Sequence, residues 1–494
     1  MKICIIKLGA KGDVVRTMSI LPKLKEKFPD SEITWITKEN TKEIFLRNPY
    51  VENVLNPNEK PSENFDLLYC LDMDREASDL ALSIKAKDKK GFYLEGGYPM
   101  AFNSGAGYYV DTFFDDELKK ANKKTAQEMY FMACEVDYNK ELCQIFLDEK
   151  EKEYGINFAK EKGIYGKKII GIHIGSSPRW PSRNWHKGKL MDFVGKIKDK
   201  GYEIIFFGGP LEGDKLPQIL KSFQDEGLKV YPNNPDNTDR EFFSLVNVCD
   251  IMITPDSFSM HVSLALKKPT IGLFFCTPPH EIESYGILKK IISPILYDFF
   301  PERMDADSEE LTKSIPVGEV LNAVLEIEDK NDKIKSLEDL SAIIKNLKKQ
   351  NKKIIWTSGC FDILHSGHTK YLKKAKEYGD CLIVGLNTDS SVRLLKGENR
   401  PINLENSRAE VLSSLSSVDY IVLFSETEPI RHLMELKPDV YIKGGDYTLD
   451  SISQIQRNLI EENGGKIILI EMENGASTTN IVEKIKDIYN DANK

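Results

Sequence analysis

The sequence predicts an α/β protein with two Rossmann-like domains followed by a smaller doubly wound parallel-sheet domain. Three observations predict this. At 494 residues the chain is too long for one hydrophobic core, and length alone suggests two to four domains. Short apolar runs hand over repeatedly, through Gly- or Ser-bearing turns, to stretches with helical spacing of apolar residues, the β-α-β order of parallel sheets. The charged run 326–335, poor in large apolar residues, reads as a solvated linker. The expected domains are therefore 1–160, 161–326 and 336–494.

Composition bounds the function. Hydrophobic residues make up 41% of the chain and charged residues 29%, as in soluble globular proteins. A net charge of −9 argues against a general nucleic-acid binder. The eight cysteines include no C-x-x-C pair, so neither a zinc site nor a disulfide framework is signalled. No apolar run has the length of a membrane span, and the start lacks the apolar length of a secretory signal. The expected location is cytoplasmic, with at most peripheral contact at the inner face of a membrane.

In the first domain Ile3 to Lys7 reads as a buried strand. Leu8 to Asp13 reads as a glycine turn, and Val14 to Phe28 as one helix with Val15, Met18, Leu21 and Leu24 on its apolar stripe. Asp13 stands where ligands bind in open α/β sheets, although composition alone favours a helix-capping role. Residues 92–131 are rich in Gly, Tyr and Phe and read as loops, either plain surface or a contact for sugar or lipid. The pattern K-L-G-A-K-G-D-V-V-R-T, then F-P-D-S-E-I-T-W-I-T, resembles the opening of the lipopolysaccharide heptosyltransferases. That resemblance implies a GT-B type glycosyltransferase in which Asp13 is the general base on the acceptor hydroxyl. The family commonly has small serines before its G-D, where this chain has Gly9-Ala10-Lys11.

In the second domain Lys168 to Gly175, Tyr202 to Phe207, Asp250 to Thr254 and Pro269 to Phe275 read as strands. Hydroxyls, arginines and a helix start gather at their C-terminal ends, as a nucleotide diphosphate requires. The resemblance to the heptosyltransferases extends here and implies sugar-nucleotide contacts from Ser176, Ser177, Arg183, Asp256, Ser257 and His261. No cofactor is implied for this half.

In the third domain the apolar run Ile354-Ile355-Trp356 leads into T-S-G-C-F-D-I-L-H-S-G-H and then a helix. His365 and His368, three apart, fall on one face of the first turn, beside free N–H groups that suit a polyphosphate. The motif resembles the cytidylyltransferase-like nucleotidyltransferases. Lys396-Gly397, Arg400-Pro401, Arg408, Lys443-Gly444-Gly445-Asp446-Tyr447 and the run Gly475 to Asn480 narrow it to the adenylyltransferase of ADP-heptose synthesis. That implies His365, His368 and Lys396 in catalysis, and nucleotide contacts from Thr357, Ser358, Gly359, Phe361, Asp362, Gly367, Lys443, Gly444, Asp446, Ser477, Thr478 and Thr479. By residue type alone, Lys396 is a solvated lysine and Ser477 to Thr479 are helix caps.

The combined expectation is a bifunctional enzyme. It would join ATP and D-glycero-D-manno-heptose 1-phosphate to give ADP-heptose, and transfer the heptose with inversion to a glycan or lipid-linked acceptor. Mg²⁺ is expected with the triphosphate, and no carboxylate cluster in the chain independently demands a metal. The alternative is a CTP-dependent cytidylyltransferase acting on a polyol or sugar phosphate, fused to a glycosyltransferase of other specificity.

Overall fold

The protein is described from a computed structural model, which describes residues 1–59, 61, 64–175, 179–212, 215–444 and 448–470. It divides into two compact units, Met1–Val324 and Leu325–Lys494. Among the described residues no helix is long and apolar enough to cross a membrane.

The first unit holds two sheets. The first contains β1 (Lys2–Ile6), β2 (Glu32–Ile36), β3 (Asn53–Leu55), β4 (Phe65–Cys70), β5 (Ala86–Glu95) and β6 (Tyr98–Ala101), in the order β3-β2-β1-β4-β5-β6. All pairs are parallel except β5 with β6. The second contains β7 (Ile169–His173), β8 (Glu203–Phe207), β9 (Tyr231–Pro232), β10 (Ile251–Pro255), β11 (Thr270–Phe274) and β12 (Leu288–Ile292), all parallel, in the order β12-β11-β10-β7-β8-β9. β1 runs K-I-C-I-I and β10 runs I-M-I-T-P, apolar on both faces because helices cover both sides of a parallel sheet.

The second unit holds a five-stranded parallel sheet. Its strands are β13 (Ile354–Gly359), β14 (Cys381–Asn387), β15 (Tyr420–Phe424), β16 (Val440–Gly444) and β17 (Lys466–Ile470), in the order β15-β14-β13-β16-β17. Alternation along the strands builds a core on each face. Ile355, Val384 and Ile442 enter one, and Ile354, Trp356, Ile383 and Tyr441 enter the other. In each sheet the chain reverses its direction of winding beside one strand: at β1/β4, at β7/β10 and at β13/β16. Crevices open beyond the carboxyl ends of the strands at such points.

Three expectations need correction. The helix expected over 14–28 is two helices, Lys11–Thr17 and Ile20–Lys27. Pro22 has no N–H to bond back across the junction, and Thr17 and Ser19 turn their hydroxyls onto the carbonyls of Asp13 and Arg16. Asp13 therefore lies inside a first helical turn that begins at Lys11, and it makes no capping bond. Residues 92–131 are not loops: β5 and β6 form a hairpin turned by Gly96 and Gly97, both at positive φ, and the helices Ser104–Asp111 and Ala126–Cys134 follow. The charged run 326–333, expected as linker, is the end of the helix Val317–Lys333; its Glu, Asp and Lys residues are compatible with an exposed helix as well as with a coil.

Candidate active sites

In the first unit Asp13 leaves β1 on the first turn of its helix and pairs with Arg16, Oδ1 to the guanidinium at 2.8 Å. Burial pushes the Asp13 carboxyl up, but Arg16 first, then Lys7, His261 and Arg183, overcome it and hold it below its ordinary value. Lys7 is buried and donates to the Leu71 carbonyl at 2.7 Å and to the Tyr130 hydroxyl at 3.1 Å. Asp72 accepts from the N–H groups of Leu8 and Gly9 at 2.8 and 2.6 Å, which fixes the turn before Asp13.

His261 comes from the second sheet, on the helix Phe258–Ala265 that follows β10. It packs so closely against the Asp13 helix that a Cβ on Gly12 would stand 2.9 Å from its Cδ2, which explains glycine there. Its imidazole is buried, and burial, aided by Arg16 and Arg183, lowers its pKa to about 4 against the opposing charges of Asp256 and Asp13. Arg183 donates to the Asp256 carbonyl at 2.8 Å and lies 3.6 Å from its carboxylate, while its Nε is buried without a hydrogen-bond partner among the described residues. Ser257 shares a hydrogen bond with Thr254 at 3.0 Å and leaves the helix N-terminus uncapped by its side chain. Asp13, Arg183, Asp256, Ser257 and His261 are thus brought to one cleft. Ser176 and Ser177 lie outside the described residues.

Beside this cleft is a pocket of about 350 Å³, lined among others by Lys11, Glu212, Asn233, Asp239, Ser257 and Phe258. Sequence reasoning missed Lys7, Arg16, Lys11, Glu212 and Asp239. Arg16 had a signal, three residues after Asp13 on a helix, and Glu212 follows the Gly208-Gly209 turn at a strand end. Asp239 had none, because only the fold brings it to Lys11, 228 residues away.

In the second unit His365 and His368 open the helix Ser366–Lys376, His365 as its N-cap residue. Their rings lie close, tilted at 31° with centroids 3.9 Å apart, and both Nδ1 atoms are buried without a hydrogen-bond partner among the described residues. Burial lowers both; for His368 the neighbouring His365 and Lys396 add to it, and its pKa falls to about 4. Lys443, at the end of β16, reaches the Ser358 hydroxyl at 3.4 Å, and its burial lowers its pKa to about 8. Lys396 is exposed and ends the helix Asp389–Lys396.

The remaining nucleotide-site residues divide. Thr357 is fully buried and its hydroxyl bonds Tyr371 at 2.6 Å, so its side chain serves the core rather than a ligand. Asp362 is also spoken for: it pairs with Arg400 at 2.8 Å and accepts from the N–H groups of Ile402 and Asn403 at 2.7 and 2.9 Å. With Arg408, which grips the carbonyls of Asn403 and Cys360 and the carboxylate of Asp389, it shapes the loop around the histidines. Phe361, at φ +45° and buried, packs 5.3 Å from the His368 ring. Gly359 ends β13, Gly367 is buried in the first turn below the histidines, and a Cβ on Gly444 would stand 2.5 Å from the Tyr371 ring. Asp446, Ser477, Thr478 and Thr479 lie outside the described residues. Also among the described residues, no three His, Cys, Asp or Glu side chains group to hold a metal.

Residues 356–484 match the cytidylyltransferase-like family, and residues 63–311 match glycosyltransferase family 9 (heptosyltransferase). The bifunctional protein HldE of Geobacter metallireducens is 46% identical over 179 residues, 36% of this chain and 36% of that protein. HldE of Campylobacter concisus is 48% identical over 162 residues, 33% of each chain. The matched part is thus about a third of the length of these curated relatives. The crystal structure of a family 9 glycosyl transferase from Veillonella parvula aligns with 66% of this chain and 96% of its own, at a TM-score of 0.52 and 19% identity, and so shares the fold. With half of its length matched to that family, the chain belongs to glycosyltransferase family 9, the heptosyltransferases, and carries a cytidylyltransferase-like domain behind it.

Proposed function

We propose that the second unit makes ADP-heptose from ATP and D-glycero-D-manno-heptose 1-phosphate, and that the first unit transfers the heptose to a hydroxyl of a glycan or lipid-linked acceptor. The observation that carries the first step is the close pair His365 and His368 beyond the end of β13, with Lys443 at the end of the neighbouring strand. A phosphate oxygen of the sugar phosphate attacks the α-phosphorus of ATP, and the bond to pyrophosphate breaks. The protein aligns the two and neutralises the charge that moves onto the leaving group. Neutral imidazoles suit this work, since the arriving polyphosphate raises their pKa values and turns both into charged donors. Mg²⁺ would enter with the triphosphate, held mainly by its oxygens.

In the transfer step Asp13, kept ionised, takes the proton of the acceptor hydroxyl as that oxygen attacks the anomeric carbon from the face opposite ADP, inverting it. Arg183, with the uncharged His261 as a further N–H donor, stabilises the ADP that departs. The two family matches, one in each unit, support the pairing of two activities. Incubation of the chain with ATP, Mg²⁺ and heptose 1-phosphate should release pyrophosphate and give ADP-heptose by mass. No pyrophosphate from a panel of sugar 1-phosphates, with ATP or CTP, would overturn the reading.

A further inference from the structure

Lys11 and Asp239 meet across the pocket beside the Asp13 cleft. Lys11 opens the helix that follows β1, and Asp239 opens the helix Asp239–Asn247 next to the second sheet. The ammonium stands 2.7 and 2.8 Å from the two carboxylate oxygens, and 5.8 Å from the centre of the Phe258 ring. Both residues line the pocket, where Lys11 is 31% exposed and Asp239 12%.

The charge balance there is unusual for a site that takes a diphosphate. Among the described residues that line it, Lys11 is the one lysine, set against the carboxylates Glu212 and Asp239. Glu212 already accepts from the Gly209 N–H at 2.9 Å. A diphosphate entering this pocket meets an ammonium whose donors are already turned onto Asp239. The pair is part-buried, with two short contacts, yet a diphosphate offers the ammonium more charge and more acceptor oxygens than one carboxylate. The lysine stem is long and its three donors rotate freely, so it can swing between the two.

We propose that Lys11 exchanges partners, leaving Asp239 for the diphosphate of an incoming nucleoside diphosphate sugar. The exchange selects diphosphate over monophosphate and loosens a contact between the two halves of the first unit as the nucleotide enters. This rests on the assignment of the pocket to the sugar nucleotide.

The test is calorimetric titration of the full chain with ADP and with AMP, in the native protein and in Lys11→Met, Asp239→Asn and Arg183→Ala. The nucleotidyltransferase unit is the same in all four, so differences between them report on the first unit. Lys11→Met should weaken ADP about tenfold and change AMP less than about twofold, the size of one charge-assisted bond to the second phosphate. Asp239→Asn, which frees the lysine, should tighten ADP. Equal weakening of ADP and AMP by Lys11→Met, or weakening of ADP by Asp239→Asn, would mean that the pair is only a strut. If Arg183→Ala weakens ADP and Lys11→Met does not, the exchange alone is wrong. If neither changes ADP binding, the assignment of the pocket falls with it.

Discussion

Asp13 in the first unit and His368 in the second both stand where a central strand yields to a helix, yet their surroundings drive them opposite ways. Around Asp13 burial opposes ionisation, but Arg16, Lys7, His261 and Arg183 outweigh it, so the carboxylate stays charged. Around His368 burial, the neighbouring His365 and Lys396 all act together, so the imidazole stays neutral. The difference teaches what each position is built to meet. On the proposed function, a proton acceptor must be charged before the substrate arrives, whereas a phosphate site can hold its charge in reserve until the anion brings it out.

The largest effects should fall on one site at a time. Asp13→Asn should cut heptosyl transfer by roughly 10²–10⁴-fold and leave pyrophosphate release unchanged; loss of both would make Asp13 a structural residue. His368→Ala should lower pyrophosphate release by roughly 10²–10³-fold while transfer from supplied ADP-heptose continues, and equal loss of both would end the comparison.

A smaller effect sharpens the electrostatic half of it. Arg16→Met removes the largest of the charges that lower the Asp13 pKa, so the acid limb of the transfer pH profile should move to higher pH. An unmoved limb would mean that Arg16 does not set the charge of Asp13. Acid stability tests both units together. His173 and His261 in the first and His368 in the second titrate near 4 when folded, against 6.5 for an exposed imidazole. Between those values the unfolded chain binds more protons than the folded one, so stability falls as pH drops from 6.5 towards 4. Thermal melts at pH 7 and pH 5 should show this, and His368→Gln should lessen the loss. The smallest effect is at Thr357, whose hydroxyl lies in the core. Thr357→Val should cost about 1 kcal/mol of stability and leave the KM for ATP unchanged.

Much of this was legible in the sequence because parallel strands are short, apolar and punctuated at their carboxyl ends. Asp13, Asp256, His365 and Lys443 stand beside such ends, so reading the strands placed them at the carboxyl edges of their sheets. The sequence was less informative about what each side chain faces. Thr357 and Ser358 are neighbours on β13, yet one hydroxyl enters the core and the other meets Lys443, because side chains alternate across a strand. Asp362 follows the same logic in a loop, where its carboxylate is taken by Arg400 and two backbone N–H groups nearly forty residues on. The break between the two helices at Met18 and Ser19 was missed because the apolar stripe runs unbroken across it, although Pro22 marked the interruption.

The most direct test of two separate sites on one chain is mass spectrometry of the products that the Asp13→Asn protein forms from ATP, Mg²⁺ and heptose 1-phosphate, with a cell-envelope acceptor present. Accumulated ADP-heptose and pyrophosphate without a glycosylated acceptor is the predicted result. Absence of ADP-heptose, where the native chain makes it, would contradict the account.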